Sequence, residues 1–174
     1  EMGCRLSFSG TVAGGLPTVN IGVRDLAGSG VERGEGVFNG ATNYILTRMG
    51  TERISYEEAL QGAQEAGIAE ADPTLDVDGW DAANKLVIIA NSVLRRPTTL
   101  SDLAVEGIRG LTLADLEAAR AQGKVIKLLA LAEKVGDDYA LSVRPTALPA
   151  AHPMARIGLW DMGVVYHTDY MGVI

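Results

Sequence analysis

The densest group of residues that could do acid–base chemistry lies in the stretch GIAEADPTLDVDGWDAANKL, residues 67–86. Asp81 and Lys85 are four residues apart on a predicted helix, so their side chains share one face. Glu70 and Asp76 precede that helix on a predicted loop. A lysine can give and take a proton at an oxygen atom, and carboxylates can hold an ammonium group. The same spacing is also typical of an ordinary surface ion pair beside a solvated acidic loop.

The surroundings of Lys85 favour the chemical interpretation. The lysine stands among Ala82, Ala83, Leu86 and Val87, and its helix continues into the apolar run VIIA. Such a lysine is expected to be partly withdrawn from water, and acids just before the helix complement its N-terminal dipole. Lys85 is therefore a candidate proton shuttle.

The elements around this stretch can be placed from their end signals. Ser55-Tyr56-Glu57-Glu58 is a capping box that begins a helix from about Tyr56 to Ala66, and Gly67 ends it. Residues 67–79 form a loop held extended before Pro73. The helix that carries Asp81 and Lys85 then runs from about Gly79 to Leu94.

The N-terminal part of the chain reads as strand, helix, strand and helix. CRLSFS alternates as a half-buried strand does, and GTVAGGLP turns into a helix that begins near Pro17 and runs to about Ala27. VERGEGVF is a predicted strand ending at Phe38, and Asn39-Gly40 opens a short helix closed by Gly50.

The C-terminal part contains a helix and further strands. Thr112 caps a helix that Gly123 ends. KVIKLLALAEKVGDDYALSVRPTALP predicts two strands around a Gly-Asp-Asp turn at residues 136–138, the second stopping near Pro145. VIKLLALAE also fits a helical period, so the hairpin rests on the turn. GVVYHTDYMGVI is a predicted final strand.

This mixture predicts an α+β fold, with a mainly antiparallel or mixed sheet and helices packed on one face, in a single domain over residues 1–174. A doubly wound sheet is the less favoured alternative. No G-x-G-x-x-G follows a strand, because Gly28-Ser29-Gly30-Val31-Glu32-Arg33 ends in arginine and follows a helix. The usual cradle for a dinucleotide pyrophosphate is therefore not expected.

Composition narrows the class of protein. The 22 acidic and 15 basic residues, with a pI near 4.8, argue against a nucleic-acid or anionic-membrane partner. The longest apolar run, LVIIANSVL, is interrupted by Asn91 and Ser92 and is too short for a membrane span. The lone Cys4 cannot form an internal disulfide, and no secretory signal is recognisable, so a cytoplasmic location is expected. Beginning at Glu1 rather than Met suggests a piece of a longer protein.

The remaining chemically notable residues predict no further site. His152 and His167 lack a second ligand at helix or turn spacing, so no zinc site is expected. Trp80 and Trp160 are interpreted as core or interface anchors, because no basic groove accompanies them.

Several segments resemble the homoserine dehydrogenase family. AEADPTLDVDGWDAANKL closely resembles the signature stretch of that family, FNGATNYILTRM resembles its NGTTNYIL segment, and GTVAGGLP resembles its VAGGIP turn. IKLLA, SVRP and HPMA continue the likeness in the same order, so that it covers nearly the whole chain. The signature stretch is long and specific.

The resemblance implies an NAD(P)-dependent interconversion of aspartate semialdehyde and homoserine. Lys85 would be the acid–base residue, and Asp81 would help to orient the substrate hydroxyl. Glu70 would bind the substrate amino group and Asp76 would complete the polar pocket, with Gly40 and Ala41 contributing from the NGTTN-like segment.

The resemblance also implies partners. NAD or NADP would be bound mainly by a separate nucleotide-binding domain that this chain lacks, leaving only edge contacts here. A homodimer formed through this domain, with a sheet extended across the twofold axis, would be expected. A monovalent-cation site would lie near Val12, Gly14 and Leu16; no other metal is expected.

Three positions depart from the family pattern. Ser9 stands where the family has Glu, Ala41 replaces the first Thr of NGTTN, and Ile68 replaces the Tyr of GYAE. Each change makes the pocket less polar, and a site built for a hydroxyl or amine discriminates through such groups. Two alternatives therefore stay open: a related enzyme for another small hydroxy or oxo acid, and a non-catalytic dimerisation or ligand-binding module.

Overall fold

The structure, a computed structural model, describes residue 8 and residues 10–174. Apart from Phe8, which has no regular secondary structure, the predicted strand CRLSFS lies outside the described residues. The described strands are β1 (Val31–Val37), β2 (Leu103–Val105), β3 (Lys124–Val135), β4 (Asp138–Pro149), β5 (Gly163–Thr168) and β6 (Gly172–Val173).

These strands form one mixed sheet. Their order is β2-β4-β3-β1-β5-β6, and all neighbouring strands are antiparallel except β2 and β4, which run parallel. The predicted α+β architecture is confirmed. The predicted hairpin is confirmed as well, because β3 and β4 pair from Lys124↔Pro149 to Val135↔Asp138 around Gly136.

The helices cover one face of this sheet. They are α1 (Thr18–Asn20), α2 (Gly40–Glu52), α3 (Tyr56–Glu65), α4 (Thr74–Val77), α5 (Trp80–Ser92) and α6 (Leu113–Ala121). A π-helical turn, Ile21–Asp25, continues α1, and 3-10 turns occupy Leu100–Asp102 and Pro153–Arg156. The capping boxes predicted at Ser55 and Thr112 are both present.

The main core lies between the helices and the sheet. Leu86 and Ile89 of α5 are buried there with Ala130 of β3 and Tyr166 of β5. Fully burying a large apolar side chain contributes roughly 1.5–3 kcal/mol. The ring of Phe38 packs over Gly36 in space that a Cβ would fill, so this position requires glycine.

Two predicted ends of elements were wrong, the end of α2 at Gly50 and the end of β4 at Pro145. Helix α2 continues past Gly50 to Glu52 and ends where Arg53 adopts a left-handed φ of 58°. Strand β4 continues through Pro145, because β2 pairs only with residues 141–143. From there β4 is an edge strand, so a residue without an N–H is tolerated.

Three further elements differ from the sequence interpretation. The acidic loop contains the short helix α4, whose first turn is held by Asp72 Oδ1, which accepts from the Thr74 amide at 3.1 Å. The predicted final strand is two strands, β5 and β6, separated by a turn. The short strand β2 was not predicted.

Trp80 and Trp160 are not core residues: 40% and 56% of their surfaces are exposed.

Candidate active site

Asn39 joins the first turn of α2 to the two carboxylates of the acidic stretch. Its side-chain oxygen accepts from the Thr42 amide at 2.8 Å and caps α2. Its Nδ2 donates to Asp76 Oδ1 at 2.6 Å and to Asp81 Oδ2 at 2.8 Å. One side chain therefore begins a helix and also brings together two acids that are distant from it in sequence.

Lys85 completes this network from α5. Its Nζ donates to Asp81 Oδ2 at 2.7 Å and to the Phe38 carbonyl at 2.7 Å. Only 19% of the lysine side chain and 31% of the Asp81 side chain are exposed. The pair is thus partly desolvated and has tertiary partners, unlike an isolated surface ion pair.

The environment of Asp76 favours a cationic ligand. Partial burial raises the pKa of Asp76, the hydrogen bond from Asn39 lowers it, and the negative charge of Asp81 raises it again; smaller effects come from Lys85, which lowers it, and Glu70, which raises it. The net pKa is raised. An ammonium group nearby would stabilise the charged form of this carboxylate.

Glu70 lies at the exposed side of the network. Its backbone carbonyl accepts from Gln64 Nε2 at 3.1 Å, which ties the loop to α3. Its charge acts on Asp76, so the two carboxylates are close enough to interact. In the part of the chain that the structure describes, the Glu70 carboxylate has no hydrogen-bond partner.

Gly40 and Ala41 follow Asn39 but face different surroundings. A Cβ on Gly40 would lie 2.9 Å from the Trp160 carbonyl oxygen, so this backbone approach requires glycine. Ala41 is 5% exposed and packs in the main core. Ile68, the other departure from the family pattern that the structure describes, is half-buried against the same core.

The turn near Val12, Gly14 and Leu16 is partly engaged in its own hydrogen bonds. The Val12 carbonyl accepts from Thr18 Oγ1 at 2.9 Å, and the Leu16 amide donates to the Ala13 carbonyl at 3.1 Å. Ser9 lies outside the described residues. Within residues 10–174 and at residue 8, no group of three or more His, Cys, Asp or Glu side chains is placed to hold a metal ion.

The two histidines meet at a buried acid, which their separate positions in the sequence did not indicate. His152 Nε2 lies 3.2 Å from Glu35 Oε2 and His167 Nε2 lies 3.0 Å from Glu35 Oε1, with Arg33 Nε 2.9 Å from the latter oxygen. Glu35 is 2% exposed. Glu35 pairs with Leu131 of β3, so it points to the sheet face opposite Ala130 and Ala132 of the main core.

Lys127 and Asn43 were missed as notable residues. Lys127 lies on β3 and is 2% exposed; its Nζ donates to Asn43 Oδ1 at 2.6 Å and to the Ile157 carbonyl at 2.5 Å. Burial lowers the pKa of Lys127 to about 8. The available signal was a lysine inside the apolar run VIKLLALA.

Lys127 is expected to make stability depend on pH. The lysine has a lower pKa folded, about 8, than unfolded, near 10.5, so the unfolded state binds more protons between these values. The destabilisation that comes from burying the charged lysine is present in full below pH 8 and is lost as pH rises toward 10.5. Relative to a Lys127→Met variant, the wild-type free energy of unfolding should gain up to about 3 kcal/mol over that window. Urea unfolding of both proteins at several pH values measures the gain, and a constant difference would contradict it.

No helix within the described residues has the length and apolar character that a bilayer crossing needs.

Fold and site together define a mixed α+β domain with a partly desolvated lysine–carboxylate network suited to a small polar ligand. The sequence model of the homoserine dehydrogenase family matches residues 8–174. The chain belongs to the homoserine dehydrogenase family.

Individual relatives agree with this assignment. Homoserine dehydrogenase of Bacillus subtilis is 40% identical over 90% of this chain, and that of Methanocaldococcus jannaschii is 41% identical over 91%. These matches cover 36% and 46% of the relatives' own lengths. The chain therefore spans less than half of the curated relatives it matches.

Solved structures show the same fold. A homoserine dehydrogenase from Thiobacillus denitrificans superposes with a TM-score of 0.94 at 33% identity, covering 97% of this chain and 39% of that one. The enzyme from Staphylococcus aureus superposes with a TM-score of 0.81 at 34% identity, covering 84% of this chain and 38% of that one.

Proposed function

We propose that this chain is the substrate-binding and catalytic domain of an NAD(P)-dependent homoserine dehydrogenase, which interconverts L-homoserine and L-aspartate semialdehyde. The observation that carries the proposal is the hydrogen-bonded network of Asn39, Asp76, Asp81 and Lys85. Membership of the family supports it.

In this proposal the residues of the chain bind the substrate and move its proton. Lys85 takes the hydroxyl proton when homoserine is oxidised and returns it to the carbonyl oxygen in the reverse reaction. Asp81 holds Lys85 and helps to orient that oxygen. Glu70 and Asp76 bind the substrate ammonium group.

The dinucleotide supplies the hydride acceptor or donor. The described residues offer no glycine-rich pyrophosphate cradle, so they do not fit the main binding role. We therefore assign that role to a nucleotide-binding domain of the same enzyme, without which this single domain would be inactive. A homodimer formed through this domain, in the cytoplasm, is part of the same proposal.

A related enzyme for another small hydroxy or oxo acid is the second candidate. The observation that favours it concerns Ala41 and Ile68, which both pack against the main core. At these two positions the family pattern has Thr and Tyr, whose side chains carry a hydroxyl. Loss of such groups weakens discrimination for a polar substrate.

The two candidates differ in their use of the ammonium group. We expect the full-length protein, supplied with NAD or NADP, to oxidise homoserine with a kcat/KM at least about 100-fold above that for 4-hydroxybutyrate, which lacks the amine. A preference for 4-hydroxybutyrate would favour the second candidate. Turnover of homoserine no faster than in a Lys85→Ala variant would contradict the dehydrogenase proposal.

Glu70→Gln should reduce the preference for homoserine over 4-hydroxybutyrate by weakening the binding of homoserine. Loss of a carboxylate that holds an ammonium group is expected to raise the KM for homoserine about 10-fold while leaving the KM for 4-hydroxybutyrate unchanged. Glu65→Gln, an exposed acid at the end of α3, is the matched control. Equal effects on both substrates would remove Glu70 from the ammonium site.

A further inference from the structure

A turn at residues 157–162 borders the Asn39 network and is held there by two buried polar side chains. Lys127 Nζ donates to the Ile157 carbonyl at 2.5 Å, and Asn43 Nδ2 donates to the Asp161 carbonyl at 3.0 Å. Lys127 also donates to Asn43 Oδ1 at 2.6 Å, so the two side chains act on the turn as a connected pair.

The same turn packs directly on the beginning of α2. The Trp160 carbonyl approaches Gly40 so closely that a Cβ there would lie 2.9 Å from the oxygen. The indole ring stacks on Tyr44, one helical turn further on, with ring centroids 6.4 Å apart and planes at 22°. Gly40 follows Asn39, so the turn lies beside the residue that organises the candidate site.

The backbone of the turn is strained and needs support from neighbouring residues. Leu159 has a left-handed φ of 48°, which a leucine rarely adopts without support from its surroundings. Trp160 is 56% exposed, so burial of the indole ring supplies only part of that support.

Burial of Lys127 destabilises the folded protein unless its hydrogen bonds compensate for the loss of water around the charge. The lysine is almost fully buried, and among the described residues no carboxylate forms an ion pair with it. An uncompensated buried charge is tolerated only where its hydrogen bonds are needed. Its hydrogen bonds lead to the turn, directly through Ile157 and indirectly through Asn43.

We propose that Lys127 and Asn43 are positioning residues that hold residues 157–162 against the N-terminus of α2, so that Trp160 forms one wall of the substrate site beside Asn39. This inference rests on the proposed function and extends it to a part of the site that binds substrate without touching the transferred proton.

The kinetic test compares two lysines of β3 in the full-length protein. Lys127→Met keeps most of the length of the side chain and removes the donor. Lys124→Met alters a lysine that hydrogen-bonds to Gln122. Lys127→Met should raise the KM for homoserine about 10-fold, with kcat within about 2-fold and the KM for the dinucleotide unchanged. Lys124→Met should change none of these. An unchanged KM for homoserine in a folded Lys127→Met protein would overturn the proposal.

A second readout follows the turn without substrate. Residues 1–174 contain two tryptophans, Trp80 and Trp160. In full-length protein in which Trp80 and any tryptophan outside this range are replaced by phenylalanine, acrylamide quenching of the Trp160 fluorescence reports how tightly the ring is held. Both Lys127→Met and Asn43→Asp should raise the quenching constant, since Asn43→Asp keeps an acceptor for Lys127 but loses the donor to the turn. Quenching equal to that of the same protein without either substitution would overturn the positioning role.

The two readouts separate the inference from the proposed function. If the wild-type protein fails to oxidise homoserine while Lys127→Met still raises the quenching constant, the proposed function and the substrate wall are overturned, and the positioning of the turn is supported. If homoserine is oxidised but neither readout moves, only the inference fails.

Discussion

Replacing Lys85 with methionine in the full-length protein should lower kcat for homoserine oxidation by about 1,000-fold, the middle of the range for loss of a positioned general base. The reason is that the substrate hydroxyl would lose a lysine that is held both by Asp81 and by the Phe38 carbonyl just after β1. Steady-state kinetics measures the effect, and the KM for homoserine should change only a few-fold because Glu70 and Asp76 remain.

The neighbouring Asn84 provides a matched control on the same helix. It is exposed, and among the described residues its side chain hydrogen-bonds to the Trp80 carbonyl of its own helix alone, so Asn84→Ala should leave kcat unchanged. Lys85→Ala opens space for a small amine, and added methylamine should restore part of the lost rate. A kcat within about 10-fold of wild type in Lys85→Met would remove the lysine from the proton-transfer step.

Asn39→Asp should produce the second large effect. The substitution keeps the oxygen that caps α2 but puts a third carboxylate where Nδ2 now donates to Asp76 and Asp81. Like charges at hydrogen-bond distance cannot all stay ionised, so the pKa of Asp76 should rise further. We expect kcat/KM for homoserine to fall by at least about 100-fold at neutral pH, because the network that positions Lys85 is broken.

The loss of stability in Asn39→Asp should depend on pH with a defined sign. A carboxyl group whose pKa is raised on folding destabilises the folded protein as pH rises through that pKa. The deficit relative to wild type should therefore be larger at pH 8 than at pH 5 in urea unfolding. Asn39→Ser, which can still cap α2 but adds no charge, should show no such pH dependence. A deficit independent of pH would contradict the close contact of the three acids.

Local signals in the sequence were sufficient for much of the fold. The i,i+4 spacing placed Asp81 beside Lys85, and the capping box at Ser55 fixed the start of α3. The turn at Gly136 decided between strand and helix for the run before it, and β3 is a strand. These features depend on contacts between residues a few positions apart, which local patterns encode well.

Contacts between distant residues could not be predicted in the same way. Asn39 reaches Asp76 and Asp81 across about forty residues of sequence, and its neighbours identify it only as the start of a helix. Lys127 finds Asn43 because β3 packs on α2, a consequence of the tertiary fold. The resemblance implies that Ala41 faces the substrate, but in the structure it packs in the main core. Its orientation could not be predicted from the sequence, because the rotation of α2 about its axis depends on packing.

A crystal structure of the full-length protein with homoserine and the oxidised dinucleotide would test the central claim most directly. The proposed function predicts the hydroxyl oxygen of homoserine within hydrogen-bond distance of Lys85 Nζ, roughly 2.6–3.2 Å, and the ammonium group against the carboxylates of Glu70 and Asp76. Homoserine bound away from the network of Asn39, Asp76, Asp81 and Lys85, or with its ammonium group turned toward Lys85, would contradict it.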